Sequence, residues 1–168
     1  RLAHLIDGAD PLRLELIGSL QSNKIRKALA SVSRIQSIDS ADLGLKVGRV
    51  AVEMGKILPV FVQVDLAGEA TKSGVPESDL FAALEALRTT PGLKIEGLMA
   101  IPPFIENAEE VRPYFSRLRG LRDLATARGL LAGADLSMGM SHDFGVAIEE
   151  GATVVRVGTA IFGERPPK

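Results

Sequence analysis

Strand-like and helix-like segments alternate along the whole of this chain, and no tight hairpin turn joins one strand to the next. Residues 58–66 are the clearest strand, because Val60, Phe61, Val62 and Val64 make a nearly continuous apolar run, as in a parallel strand covered on both faces. Strands that alternate with helices predict a parallel sheet with right-handed crossovers. The six predicted strands are residues 14–17, 34–38, 58–66, 93–101, 134–137 and 153–157.

The segments between these strands have the spacing of amphipathic helices. Ser40 is placed to cap one of them, and Leu80 and Leu84 mark the inward face of another. Helices are also predicted over residues 22–30 and 109–128. A short helix over residues 141–150 ends at Gly151, which can adopt a left-handed backbone conformation.

With 168 residues, 46% of them hydrophobic, the chain has the size of one domain, 1–168, with its own core. No repeat or linker divides it. The predicted fold class is α/β, and periodicity leaves two architectures open: an open doubly wound sheet and a (β/α) TIM barrel. A complete barrel has eight strands and typically about 250 residues. A barrel built from this chain would therefore be incomplete, with about six of the eight strand-helix units.

Composition narrows the classes of function. The formal net charge is -1, and the lysines and arginines are scattered apart from Lys24, Arg26 and Lys27, which argues against binding of nucleic acid. No apolar run is long enough to cross a bilayer. The sequence has no cysteine for a disulfide or a thiolate metal site. We therefore expect a cytoplasmic protein with a small-molecule ligand and neither a nucleic-acid nor a membrane partner.

Two loops of small residues near the carboxyl terminus have the composition of an anion site. Gly139, Met140 and Ser141 lie where a strand gives way to the last predicted helix, so their N–H groups and the Ser141 hydroxyl can converge on a phosphate. Gly158 and Thr159 follow the final strand and provide a second loop rich in donors. The alternative interpretation is an ordinary N-cap, in which Ser141 only starts the helix.

Arg156 lies inside the apolar final strand, on the same face as Val154 and Gly158. A buried guanidinium keeps its proton and needs acceptors. These can come from a bound anion or from one of the 21 acidic residues, and the strand pattern leaves both interpretations open. In barrels, the loops after the last two strands often form a phosphate site near a short helix, which favours the anion.

Other polar residues are weaker candidates. Lys72 follows the third strand, on the side of the sheet where α/β active sites gather, although most loop lysines are only solvated. Two separated histidines, His4 and His142, do not make a metal site.

Five motifs, in order along nearly the whole chain, resemble those of the pyridoxal phosphate homeostasis proteins, which are similar to the N-terminal barrel of alanine racemase. The motifs are LIGSLQSNK at 16–24, KSG at 72–74, GLMAIP at 97–102, LSMGMSHD at 136–143 and VRVGTAIFG at 155–163. The resemblance implies a fold-type III barrel, a bound pyridoxal 5'-phosphate (PLP) and no established turnover. It also implies a role in buffering the cofactor or delivering it, with apo-enzymes that receive PLP as the expected protein partners.

The resemblance assigns roles to individual positions. Arg156 matches the arginine that meets the pyridine nitrogen of the cofactor in this fold type. An arginine there keeps that nitrogen unprotonated and weakens the ring as an electron sink. The loops that hold the cofactor phosphate correspond to Gly139, Met140, Ser141, Gly158 and Thr159.

The chain departs from the family pattern in two places. The lysine that forms the cofactor Schiff base lies on the family's first strand, whereas the first strand predicted here matches the third, so no lysine of this chain matches it. Glu15 stands where a histidine is usual. We therefore expect a chain truncated at the N-terminus, an open barrel with unpaired edges, and weak noncovalent affinity for PLP. A PLP-dependent amino-acid racemase and a fragment that binds no phosphate are the alternative functions.

Overall fold

Seven parallel strands form one sheet in the computed structural model, which describes residues 13–68 and 73–164. The strands are β1 (Glu15–Leu16), β2 (Arg34–Ile38), β3 (Leu58–Asp65), β4 (Val75–Pro76), β5 (Leu93–Met99), β6 (Asp135–Met140) and β7 (Val154–Arg156). Apart from β4, these are the six predicted strands, with bounds shifted by at most three residues. The prediction of a parallel sheet is confirmed.

The order of the strands decides between the two predicted architectures. Along the sheet it is β1-β2-β3-β5-β6-β7, and β4 pairs with β3 outside this path. A doubly wound sheet reverses its strand order at a switch point, whereas this order follows the chain throughout. Over the described residues, the fold is therefore an incomplete barrel of six strand-helix units. Among the described residues, β1 pairs only with β2, and β7 pairs only with β6.

Five helices connect successive strands of this path: α1 (Ile25–Leu29), α2 (Ala41–Glu53), α3 (Leu80–Arg88), α4 (Arg112–Ala127) and α5 (Phe144–Glu149). A sixth helix, α6 (Thr159–Phe162), follows β7. Short 3-10 turns precede α1, α3 and α4. Ser40 caps α2 as predicted, because its side chain accepts the N–H of Leu43. None of the helices in the described ranges is both long and apolar enough to span a lipid bilayer.

Local predictions were wrong at three points. Helix α5 begins at Phe144 rather than at residue 141, because the Ser141 hydroxyl accepts N–H groups farther along the chain instead of capping this helix. Thr159, predicted in a loop, begins helix α6, in which two N–H groups donate to the carbonyl of Gly158. Strand β4 was not predicted, and its pairing with the end of β3 satisfies its backbone.

The main hydrophobic core lies between the sheet and its helices. Val60 and Leu98 contribute from the strands, and Leu84, Phe115 and Leu118 from the helices, all with no exposed surface. Burial of a side chain of this size contributes about 1.5–3 kcal/mol. This core therefore supplies most of the stability and fixes the strands whose carboxyl ends carry the candidate site.

Ion pairs fix α5 against α4. The buried Glu150, directly after α5, lies 3.0 Å from Arg112 Nη1 and 2.9 Å from Arg119 Nη1. Arg112 Nη2 also lies 2.6 Å from the carboxylate of Glu149. Hydrogen bonds that Arg112 donates to the carboxylates of Glu109, Glu149 and Glu150 raise its pKa above the usual value. Helix α4 thus holds α5, and with it the loop that follows β6.

A Gly97→Ala substitution tests the close approach of β5 and β6. A Cβ atom at position 97 would lie 2.1 Å from the carbonyl oxygen of Asp135, so the strands would have to separate. We expect the free energy of unfolding in urea to fall by about 1–3 kcal/mol, the usual cost of overpacking.

Gly120→Ala is the matched control for this substitution. An added Cβ at position 120 meets no neighbouring atom within 4 Å outside its own helix, and alanine is the better helix former, so stability should rise by about 0.5–1 kcal/mol. Unchanged stability of Gly97→Ala would contradict the close packing of the two strands.

Candidate functional site

The loops that follow β6 and β7 lie side by side at the carboxyl edge of the sheet. The Ser141 hydroxyl joins them, because its oxygen accepts the N–H of Gly158 at 3.0 Å and the N–H of Ala160 at 3.2 Å. The structure therefore brings Ser141 together with Gly158 and its neighbour Thr159. The N-cap interpretation of Ser141 is wrong, since the N-cap position of α5 belongs to Asp143.

Gly139 and Met140 end β6 and shape the first of these loops. Gly139 is buried with a φ of 89°, and a Cβ atom there would lie 2.6 Å from the Cβ of Ala147. Glycine is thus required for α5 to pack this closely. The Met140 N–H donates to Asp143 Oδ1 at 2.6 Å, which closes a tight turn. Both residues therefore help to shape the turn between β6 and α5.

Arg156, the last residue of β7, is partly buried and contacts neutral acceptors. Its Nη1 donates to Ser137 Oγ at 2.6 Å, and its Nη2 donates to the carbonyl oxygen of Ala100 at 2.9 Å. No carboxylate among the described residues hydrogen-bonds to it, so the ion-pair interpretation is wrong for this part of the chain. Burial lowers the pKa of Arg156 to about 10, and the negative charge of Asp143 opposes this change. The guanidinium is cationic at neutral pH.

The residues that hold Arg156 in place were not predicted from the sequence. The Ser137 hydroxyl donates to Gln36 Oε1, and Gln36 Nε2 donates to Glu15 Oε2, each at 2.5 Å. Glu15 also pairs with Arg34 at 2.6 Å. Because β2 and β6 are not neighbours in the sheet, the Gln36–Ser137 hydrogen bond crosses the barrel interior. The sequence signal for these residues is a polar side chain within an apolar strand, such as Gln36.

A cavity of about 470 Å³ opens between the edge strands β1 and β7. Its walls are mostly apolar, and Arg156 and the backbone of Gly158 lie among its polar groups. The volume is in the usual range for a small-molecule site. From the described part of the chain, the lining residues are Glu15, Ile17, Gln36, Val154, Val155, Arg156, Val157, Gly158 and Phe162.

This set of residues fits a flat phosphorylated heterocycle such as PLP. Valine and phenylalanine side chains provide apolar contact for a ring. The guanidinium of Arg156 can donate to a ring nitrogen. The N–H groups of Gly158 and Ala160 donate to the Ser141 oxygen, which leaves the Ser141 hydroxyl proton for a phosphate oxygen.

Of the weaker candidates, the structure describes His142, which is not among the residues that line the cavity. Lys72 and His4 lie outside the described residues. His142 Nε2 lies 2.8 Å from the carbonyl oxygen of Glu106, and its ring is 5.3 Å from the ring of Phe104. In the ranges that the structure describes, no three metal-binding side chains converge.

Comparison with known proteins identifies the family. Residues 9–166 match the sequence model of the alanine racemase N-terminal domain. The pyridoxal phosphate homeostasis protein of Aquifex aeolicus (strain VF5) is 46% identical over 154 residues, which are 92% of this chain and 68% of that protein. The chain belongs to the family of pyridoxal phosphate homeostasis proteins. It spans about two thirds of the length of the curated relatives it matches.

Other members of the pyridoxal phosphate homeostasis family are similarly close. The Pseudomonas aeruginosa member is 42% identical, over 92% of this chain and 66% of that protein. The structure of PipY from Synechococcus elongatus PCC7942, with PLP bound, is 38% identical, with a TM-score of 0.84 over 96% of this chain and 75% of that one. Alanine racemase from Clostridium difficile 630 shares the fold at 15% identity, with a TM-score of 0.76 over 96% of this chain and 42% of that one.

A Ser141→Ala substitution tests the coupling of the two loops. It removes the oxygen that accepts the N–H groups of Gly158 and Ala160. We expect faster hydrogen exchange at these two amides and a loss of about 1 kcal/mol of stability. The control is Ser78→Ala in an exposed turn, where the hydroxyl donates to Asp79 and the two amides should be unaffected. Unchanged exchange in Ser141→Ala would contradict the coupling.

Proposed function

We propose that this protein binds PLP noncovalently and serves cofactor homeostasis in the cytoplasm, without catalysing a reaction of its own. One observation carries the proposal. Arg156 and Gly158, the latter bonded to Ser141, border one cavity of suitable size in a chain that is 38% identical to PipY, a relative solved with PLP bound.

The phosphate end of the site lies at the two joined loops. Ser141 marks the point where two N–H groups converge, and its own hydroxyl proton can be donated to an anion. Thr159 is exposed and adds a second hydroxyl beside Gly158. The Met140 N–H is already donated to Asp143, so that residue contributes shape. The proposed cradle consists of Gly139, Met140, Ser141, Gly158 and Thr159.

Arg156 is proposed to face the pyridine nitrogen of bound PLP. When bound, PLP supplies a ring that can accept electrons from an attached substrate. A guanidinium has only donors and stays cationic, so Arg156 keeps a facing nitrogen unprotonated and limits that capacity. The residue therefore favours retention of the cofactor over chemistry on it.

The described lining offers no group suited to move a proton at an amino-acid carbon. It contains no lysine, histidine, cysteine or tyrosine, and its one carboxylate, on Glu15, is paired with Arg34. This composition supports binding rather than racemisation. Noncovalent binding beside an exposed Thr159 is compatible with release, and apo-enzymes that receive PLP are the proposed partners.

Titration with PLP tests the proposed site. Arg156→Ala removes a charge-assisted donor, so its Kd should be at least about tenfold higher than that of the unaltered protein. Arg49→Ala, at an exposed position on α2, is the matched control and should bind as the unaltered protein does. Equal and negligible binding by the unaltered protein and Arg156→Ala would favour the non-binding fragment. A lysine adduct trapped by borohydride at equimolar PLP would contradict noncovalent binding.

Thr159→Glu provides a second test of the proposed site. Because the Thr159 side chain is exposed, we expect this variant to keep its fold. The added carboxylate repels a phosphate, so PLP should bind at least about tenfold more weakly, whereas pyridoxal, which lacks the phosphate, should bind as before. An equal loss for both ligands would argue against a phosphate cradle at this loop.

Deuterium exchange at the α-carbon of an amino acid tests the alternative function as a racemase. With PLP and L-alanine in D₂O, the protein should exchange the α-proton no faster than free PLP does, because the described lining holds no free base. The proton signal of the α-carbon by NMR gives the rate. Exchange well above the rate with PLP alone, lost in Arg156→Ala, would show turnover and overturn the non-catalytic role.

A further inference from the structure

Four side chains connect the two walls of the cavity across the barrel interior. Arg156 donates to Ser137, Ser137 donates to Gln36, and Gln36 donates to Glu15, which also accepts from Arg34. We name the series Arg156, Ser137, Gln36 and Glu15 the interior relay. Gln36 is 2% exposed and Ser137 is 0% exposed, so water offers these two side chains no easy substitute partner.

Every hydrogen bond of the interior relay has a fixed direction. Arginine has only donors and an ionised carboxylate only accepts, so the two ends of the relay have one role each. The Ser137 oxygen must accept from Arg156, which leaves its proton for Gln36 Oε1. The Gln36 amide must then turn its NH₂ group to Glu15. A flipped amide would set its oxygen against the Glu15 carboxylate and leave the Ser137 proton without an acceptor, which is costly when buried.

This direction leaves the guanidinium fixed, with no carboxylate among the described residues hydrogen-bonded to it. Two of its nitrogen atoms donate to neutral acceptors, Ser137 Oγ and the Ala100 carbonyl. The carboxylate of the relay, on Glu15, lies two side chains away and is paired with Arg34. Arginine has five N–H groups, so donors remain at the cavity that Arg156 lines. A direct carboxylate partner would instead compete with a ligand for them.

We propose that Gln36 is a positioning residue for the cofactor. By fixing the Ser137 hydroxyl as an acceptor, it holds the Arg156 guanidinium at the cavity, and Glu15 sets the orientation of the Gln36 amide. The inference rests on the proposed function, because it concerns how Arg156 meets the ring of bound PLP.

The substitution Gln36→Leu removes the relay and keeps a side chain of similar size. Loss of the relay frees Arg156, so the Kd for PLP should rise about tenfold. Inorganic phosphate, a competitor that reaches only the loop end of the site, should keep its inhibition constant within about twofold. A purely structural role would weaken both ligands together or neither.

Gln63→Leu is the matched control for Gln36→Leu. Gln63 is 8% exposed, and its Nε2 donates to the Ser73 carbonyl at 2.6 Å, outside the interior relay. Both variants lose one buried amide, so both should lower the urea midpoint, but only Gln36→Leu should change the Kd for PLP.

Exchanging the Gln36 amide and the Glu15 carboxylate between the two positions should restore PLP binding. Gln36→Glu alone sets two carboxylates face to face and should weaken PLP binding about tenfold. Adding Glu15→Gln restores a donor at position 15 and an acceptor at position 36, so all hydrogen bonds of the relay can form again. The double variant should bind PLP within about threefold of the unaltered protein.

The outcomes separate the two proposals. If the unaltered protein fails to bind PLP, the proposed function and this inference fall together. If it binds PLP and Gln36→Leu binds equally well, only the role of Gln36 is overturned. A double variant that binds no better than Gln36→Glu would likewise overturn the relay.

Discussion

The candidate site depends on one partly buried guanidinium whose hydrogen-bond acceptors are neutral. Arg156 donates to the Ser137 hydroxyl and the Ala100 carbonyl, so it is held in place without a carboxylate hydrogen-bonded to it among the described residues. Arg34, elsewhere in the barrel interior, is the opposite case: carboxylates surround it, and it stacks 4.8 Å above the ring of Phe61. The acidic groups near Arg34 are Glu15, Glu96 and Asp135. One arginine is used for structure, and the other is left able to meet an anion.

The two faces of the sheet have different roles: one contributes stability and the other carries the candidate site. On the helix side, side chains such as Leu84, Leu118 and Phe115 are fully buried in one apolar core, which holds the strands in their order. The inner side contains a polar network, in which Gln36 and Ser137 meet across the barrel interior. Because the apolar core carries the stability, the inner network can be specialised for directed hydrogen bonds.

The open side of the barrel is where these features meet. The cavity takes one wall from β1 and β2 and the other from β7, so its width depends on how far the two edge strands stand apart. The Gln36–Ser137 hydrogen bond spans the interior between β2 and β6, and the ion pairs of α4 hold the loop after β6. The same contacts that fix the shape of the sheet therefore also fix the distance across the site.

The sequence by itself determined six of the seven described strands, the parallel sheet and the two donor-rich stretches around Ser141 and Gly158, because apolar periodicity, helix caps such as Ser40 and small residues are local properties. It also identified Arg156 as a candidate, because a charged residue within an apolar strand can be recognised from the sequence alone. Only the tertiary structure decided that the strand order never reverses, that Ser141 serves the next loop rather than its own helix, and that Arg156 contacts a hydroxyl instead of a carboxylate. Gln36 and Ser137 are 101 positions apart in the sequence. They meet only because the sheet curves, so no local sequence pattern predicts that they are hydrogen-bond partners.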